Sequence, residues 1–351
     1  MIRLGVLSTA KIGVEIVLPA IQQSNHLRVT AIASRDSAKA AKLAKAINAP
    51  HSFGSYEELL ASDEVDAVYI PLPTSHHAEW AVKAAAAGKH VLCEKPIAIK
   101  ANDIKKIIKA RDKHDVVVSE AFMVTYHPQW LKVRELLTKG QIGDLRHVQG
   151  AFSYHNVDKN NMRNRPELGG GALPDIGVYP TVVTRFVTGT EPSRVQATVD
   201  FDPEFKTDRY ASIKADFNDF ELSFYVSTQM ALRQTMVFHG TKGFIEINAP
   251  FNSNIYEGSE VRLHNVNHSE CKTYNFANIN QYTYQADAFA LTVKQAMSKA
   301  KKDTAKQTKK ATRKKGAAQE IFSLENSMLN QRVIDAIYAS GKNKGNWRNV
   351  L

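Results

Sequence analysis

The chain has 351 residues, beyond the roughly 250–300 at which a single core stops growing, so two domains are expected. Its 43% hydrophobic and 23% charged content is ordinary for a globular protein and excludes a largely disordered or collagen-like chain; no apolar run approaches the roughly 18–20 residues of a membrane helix. The net charge of +11 is concentrated, because nine basic residues and one acid lie between Lys299 and Lys315.

In chain order, Arg3–Ser8 reads as a first buried strand, and the opening residues lack the basic, apolar and cleavage regions of a signal peptide. Further strands are expected at Arg28–Ser34, Ala67–Ile70, His90–Cys93 and Val116–Ser119. Helical patterns lie between them, near Ile12–Ser24, Ser37–Ile47, Ser55–Ala61, Ser75–Ala87 and Ala101–Lys113. Ala67-Val68-Tyr69-Ile70 is wholly apolar, which fits a strand covered on both faces. Strands alternating with helices predict right-handed βαβ units, and hence an α/β, doubly wound parallel sheet over residues 1–122.

The pattern changes after about residue 125. A helix is expected from Pro128 to Lys139, ending at Gly140, and another from Pro174, after Gly169-Gly170-Gly171. Ala211–Phe217 and Phe220–Phe224 alternate apolar and polar residues, the period of an antiparallel sheet covered on one face. Helices return near Tyr284–Ala300 and Ala318–Ser340. Residues 123–351 are therefore expected to form an α+β domain with an open, mostly antiparallel sheet and a basic insert at 298–316. That insert has no aromatic residue for base stacking, so it reads as a solvated segment and argues against a nucleic-acid partner. Cys93 and Cys271 are the only cysteines and stand far apart, signalling no disulfide framework and no metal cluster; a reduced, cytoplasmic setting is expected.

The first strand runs into Ser8-Thr9-Ala10-Lys11-Ile12-Gly13 and then a helix. These positions occupy the frame of the dinucleotide-binding G-x-G-x-x-G, with Ser8 and Ala10 in place of two glycines, and a helix N-terminus still offers free N–H groups to phosphate. The second strand ends at Ser34-Arg35, where an NAD site usually carries an acid. A hydroxyl and a guanidinium suit the 2′-phosphate of NADP, whereas Asp36, one residue later, could serve the ribose of NAD.

Two longer segments carry a family resemblance. The first is Tyr69-Ile70-Pro71-Leu72-Pro73-Thr74-Ser75-His76-His77-Ala78-Glu79-Trp80 together with Ala87-Gly88-Lys89-His90-Val91-Leu92-Cys93-Glu94-Lys95-Pro96. The second is Gly169-Gly170-Gly171-Ala172-Leu173-Pro174-Asp175-Ile176-Gly177-Val178-Tyr179. Over nearly its whole length the chain resembles the glucose-fructose oxidoreductase/inositol dehydrogenase (Gfo/Idh/MocA) superfamily. Tyr179, where inositol dehydrogenases more often carry His, resembles the dihydrodiol and D-xylose dehydrogenase branch. The resemblance implies a Rossmann domain carrying NAD(P) and a C-terminal substrate domain. It implies that Lys95 lies beside the nicotinamide, that Glu94 and Pro96 hold its turn, and that Pro71, Leu72, Pro73, Thr74 and His77 follow the dinucleotide. Asn161 and Arg163 match a pocket-bordering segment, and Met123 belongs to the crossing segment between domains.

Lys95, Asp175 and Tyr179 are thus the expected catalytic residues, with Met123 and Arg163 added for substrate. Asp175 and Tyr179, four apart, share a helix face. The expected activity is hydride transfer between the nicotinamide and a carbinol carbon of a sugar, polyol or vicinal diol, with Lys95 drawing down the Tyr179 phenol. NADP is preferred and NAD is the alternative. A non-catalytic NAD(P) sensor on the same fold is the second reading, and loss of Lys95 or Tyr179 would have favoured it. The resemblance also implies a homodimer or homotetramer through the outer sheet face, which carries Ser212, Lys214, Glu221, Ser223 and Tyr225.

Overall fold

The computed structural model describes residues 1–256, 258–305 and 321–350. Apolar segments near the N-terminus form a six-stranded parallel sheet from β1 (Ile2–Leu7), β2 (Leu27–Ala33), β3 (His51–Phe53), β4 (Ala67–Ile70), β5 (His90–Cys93) and β6 (Val118–Glu120). Their order is β3-β2-β1-β4-β5-β6. The direction of winding reverses between β1 and β4, which opens a crevice beyond the C-terminal strand ends. The strands are joined by α1 (Leu18–Gln22), α2 (Ser37–Ala46), α3 (Tyr56–Ala61), α4 (Thr74–Ala86) and α5 (Ala101–His114). Side-chain caps fix two of these helix starts: Asp36 accepts from the Lys39 N–H at α2, and Ser55 accepts from the Glu58 N–H at α3. The strand β3 was not expected; it has three residues and no fully buried side chain, so it carries no periodic signal.

A second, nine-stranded sheet contains β7 (Leu145–His155), β8 (Arg194–Phe201), β9 (Asp208–Asp216), β10 (Glu221–Ser227), β11 (Gln229–Gly240), β12 (Gly243–Ile247), β13 (Ser259–Asn265), β14 (Cys271–Phe276) and β15 (Arg348–Asn349). Its order is β14-β13-β12-β11-β7-β10-β9-β8-β15, antiparallel except where β7 and β10 run parallel. The inner face packs on α6 (Pro128–Thr138), α7 (Val178–Thr188) and α9 (Leu324–Lys342) through one apolar core that includes Val133, Val183, Phe224, Phe238 and Ile337. On the outer face Ser212 and Lys214 are exposed and Glu221, Ser223 and Tyr225 half-buried, in keeping with the alternation in the sequence.

The last two long helices join the sheets. In α8 (Gln281–Ala305), Phe289 and Val293 pack with Leu4, Val6 and Ile32 of the parallel sheet. Leu324, at the start of α9, enters the core around Ile104 and Val118. The chain beyond residue 123 therefore returns to cover the first sheet. The α9 helix starts at Leu324 with Ser323 as its cap, later than the expected Ala318. Beyond Ala305, the basic insert assigned to 298–316 lies outside the described residues. No helix among the described residues is long and apolar enough to cross a membrane.

Candidate active site

A cavity of about 560 Å³ opens at the C-terminal ends of the parallel strands and is closed on its far side by the inner face of β7, β11 and the loops beside them. Of the expected residues, Ala10, Lys11, Ile12, Pro71, Leu72, Thr74, His77, Glu94, Lys95, Pro96, Met123, Arg163, Asp175 and Tyr179 line it. Ser8, Thr9, Ser34, Arg35 and Pro73 do not.

The nucleotide end is built from backbone. Ser8 has φ +126°, a conformation that normally requires glycine. Its hydroxyl donates to the Pro71 carbonyl at 3.3 Å and accepts from the Ala10 N–H at 3.2 Å, which stabilises the turn. The first helical bond runs from the Val14 N–H to the Ala10 carbonyl, so the N–H groups of Lys11, Ile12 and Gly13 lie in the unpaired first turn. At the end of β2, Ser34 is buried and Arg35 exposed beside Tyr56. Asp36 is committed elsewhere: it caps α2 and pairs with Lys39 at 3.5 Å. A free N-terminal helix turn, a guanidinium, and an acid already engaged by its own helix fit a dinucleotide bearing a 2′-phosphate.

The loop that carries Lys95 is fixed from below. The Tyr69 hydroxyl donates to Glu94 at 2.7 Å, and Glu120 accepts from the Ile97 N–H at 2.8 Å. Burial pushes both carboxyls up, Glu120 to about 7. His77 is almost wholly buried, with Nδ1 2.8 Å from the Pro96 carbonyl and Nε2 2.6 Å from the Leu72 carbonyl. It therefore ties the two cofactor-side loops together. Burial lowers its pKa to about 4, and a neutral ring donates to only one of the two carbonyls at a time.

At the centre lies Asp175. The Lys95 ammonium donates to the Asp175 carbonyl at 2.6 Å and to its carboxylate at 3.0 Å. The other carboxylate oxygen accepts from the Tyr154 hydroxyl at 2.6 Å and from Arg163 Nε at 2.8 Å. Two cations and a phenol hold this buried carboxyl well below the usual range, despite desolvation. Asp175 thus orients Lys95 and Arg163 together. Nothing in the sequence pointed to Tyr154; it comes from the C-terminal end of β7, and only the sheet brings it to Asp175.

Tyr179 is 4% exposed, its ring edge-on to Phe122 and tilted against Phe152 and Phe251. The Lys95 ammonium lies 5.0 Å from the ring centroid, and among the described residues the Tyr179 hydroxyl meets only the Met123 sulfur, a weak acceptor at 3.7 Å. The expected lowering of the phenol pKa by Lys95 is corrected here. Burial first, then Asp175 and Glu94, pushes the phenol well above its ordinary value. Lys95 sits over the ring, and its charge is spent on Asp175. The cleft therefore holds a neutral phenol with its hydroxyl uncommitted, a group set to give a proton.

Comparison with known proteins agrees with this architecture. The family model described as an oxidoreductase family with an NAD-binding Rossmann fold matches residues 2–122, and a GFO/IDH/MocA C-terminal domain model matches residues 130–246. An uncharacterised oxidoreductase from Rhizobium meliloti is 37% identical over 100% of this chain and 99% of its own. A D-xylose 1-dehydrogenase (NADP+) from Haloferax volcanii is 33% identical over 96% of this chain and 97% of its own. The crystal structure of a 3-ketoreductase from Actinomadura kijaniata with NADP and TDP-benzene is 26% identical, with a TM-score of 0.85 over 97% of each chain.

Proposed function

The chain belongs to the GFO/IDH/MocA oxidoreductase family, and on that premise we propose that it is an NADP-dependent oxidoreductase interconverting a carbonyl and a carbinol on a sugar, polyol or vicinal diol. The observation that carries this reading is the uncommitted Tyr179 hydroxyl beside a Lys95 already oriented by Asp175, in a cleft at the switch point of the parallel sheet. When bound, NADP(H) supplies or accepts the hydride. The first-turn N–H groups of Lys11, Ile12 and Gly13 would hold its diphosphate, and Ser34 and Arg35 its 2′-phosphate.

In reduction, charge develops on the carbonyl oxygen. Tyr179 donates a proton to it, and the Lys95 ammonium stabilises the charge while Asp175 keeps that ammonium in place. In oxidation the steps reverse: Tyr179 takes the carbinol proton as a phenolate, so the phenol first gives up its own proton. Because burial and neighbouring carboxylates hold the phenol neutral, Tyr179 is the proton donor when a carbonyl is reduced. The free edge of Arg163, whose side chain is 39% exposed, is available to a second substrate oxygen.

Following nicotinamide absorbance with NADPH or NADP+ across ketosugars, aldoses, polyols and diols tests this reading. Turnover with at least one class is expected; binding of NADP without turnover of any class would favour the sensor reading. The same family membership supports a homodimer or homotetramer formed through the polar outer face of the nine-stranded sheet. A concentration-independent monomer mass by light scattering would reject that assembly.

A further inference from the structure

The reaction leaves the outer wall of the cavity without a task. A bulge interrupts β11 there: Gln229 pairs with His155 and Arg233 with Ser153, so β11 spends two more residues than β7 over the same stretch. The Ser153 hydroxyl donates to the Ala231 carbonyl at 2.7 Å and pins the bulge. Within the bulge Met230 is 42% and Leu232 51% exposed. The turn Ser253–Ile255 leaves Ile255 55% exposed. The chain leading into that turn is held from behind: Gln234 Oε1 accepts from the Phe251 and Asn252 N–H groups, Gln281 donates to the Phe251 carbonyl, and the Phe251 ring stacks on Phe152.

Leu232 and Ile255 line the same cavity as Lys95, Asp175 and Tyr179. Single exposed aliphatic residues are common on any surface, but these two stand on anchored backbone and line a concavity. Neither of these two side chains gives a hydroxyl a partner, although Gln234 and Asn252 line the cavity with them. An apolar group would bury both side chains favourably. The cavity thus adds two aliphatic side chains, beside Gln234 and Asn252, to the charged and hydrogen-bonding groups around Asp175.

We propose that the substrate carries an apolar substituent, an aryl or alkyl group on the sugar or diol, which seats against Leu232 and Ile255 while the reacting carbon lies at Lys95 and Tyr179. This rests on the oxidoreductase reading above and narrows its substrate class.

Equilibrium binding to the NADP-loaded protein tests the proposal without requiring turnover. Phenyl and methyl β-D-glucopyranoside form one matched pair, and phenyl and methyl β-D-xylopyranoside a second. The phenyl member is expected to bind about tenfold more tightly in at least one pair. In a Leu232→Ser, Ile255→Asn double variant, whose folding is checked by circular dichroism, that ratio should fall toward one. Equal affinities within both pairs, no measurable binding of any member, or a ratio unchanged in the variant overturns the proposal. A smaller assembly for the variant by light scattering also overturns it, since the apolar lip would then belong to a contact with a second copy. Nicotinamide turnover of the same glycosides is read separately; its absence counts against the oxidoreductase reading and leaves the binding ratio to decide the lip.

Discussion

The two sheets meet at one cleft and build their halves of it by opposite means. The parallel sheet offers strand-end loops, where backbone N–H groups, small residues and prolines do the shaping and Lys95 is the principal charged contribution. The nine-stranded sheet and its preceding loops offer side chains, with Tyr154 and Phe152 from the C-terminal end of β7, Leu232 from a bulge in β11, and Arg163 and Asp175 from the segment before α7. A dinucleotide has fixed shape and charge, so repeating backbone geometry is enough to hold it. A small substrate is distinguished by where its hydroxyls and apolar groups fall, and only side chains set at individual positions can read that.

The largest effect is expected where the halves touch. Tyr179→Phe should lower kcat by roughly 10²–10⁴-fold with NADP affinity retained, because the phenol is the group left free to move a proton. Lys95→Met should do comparable damage and also weaken cofactor binding. Near-full turnover of Tyr179→Phe between pH 6 and 9, with an isotope effect from deuterated cofactor showing that chemistry limits the rate, would transfer the acid–base role to Lys95.

On the cofactor side, Arg35→Ala should weaken NADP by about 10–100-fold and NAD much less, since it removes a charge-assisted contact to a phosphate that NAD lacks. Equal losses for both cofactors, measured by fluorescence titration, would reduce Arg35 to a packing residue beside Tyr56.

On the substrate side, Asp208 is buried behind the glycine run, accepting from the Leu173 N–H at 2.6 Å and from the Tyr338 hydroxyl. Burial raises its pKa to about 7. Between the ordinary carboxyl value and 7, the folded chain holds a proton that the unfolded chain has lost, so this residue makes stability fall as pH rises through that window. Asp208→Asn cannot ionise, and its stability relative to the parent should rise between pH 5 and pH 8 by on the order of 2 kcal/mol. A pH-independent difference in denaturant midpoints would show that Asp208 stays ionised in the fold.

The smallest effect concerns Ser8. Glycine accepts φ +126° without penalty, so Ser8→Gly should stabilise by about 1 kcal/mol, less what is lost with the Pro71 and Ala10 hydrogen bonds. Calorimetry should show an unchanged or slightly raised Tm, with NADP affinity within about twofold; a marked fall would mean that the hydroxyl outweighs the strain.

What could be read without coordinates was local or carried by motif. All-apolar strands at Ala67–Ile70 and His90–Cys93 required a sheet covered on both faces, and Ser34-Arg35 disclosed the missing ribose acid. The i, i+4 spacing put Asp175 and Tyr179 on one helix face. The short β3 stayed hidden because three residues with none fully buried have no period, and β7 and β11 because each is long and only partly alternating.

The sequence by itself determined the fold class and the cofactor frame, since hydrophobic period, helix spacing and a strand-turn-helix motif act over a few residues, and the family resemblance supplied the residues proposed for the chemistry. Tertiary structure alone decided how those groups behave. Tyr154, Arg163 and Lys95, separated by up to 68 positions in the chain, converge on one carboxylate. That convergence spends the charge of Lys95 on Asp175, and burial keeps the Tyr179 phenol protonated instead of lowering its pKa. Electrostatic interaction depends on distance and desolvation in three dimensions, and neither is a property of neighbours along the chain.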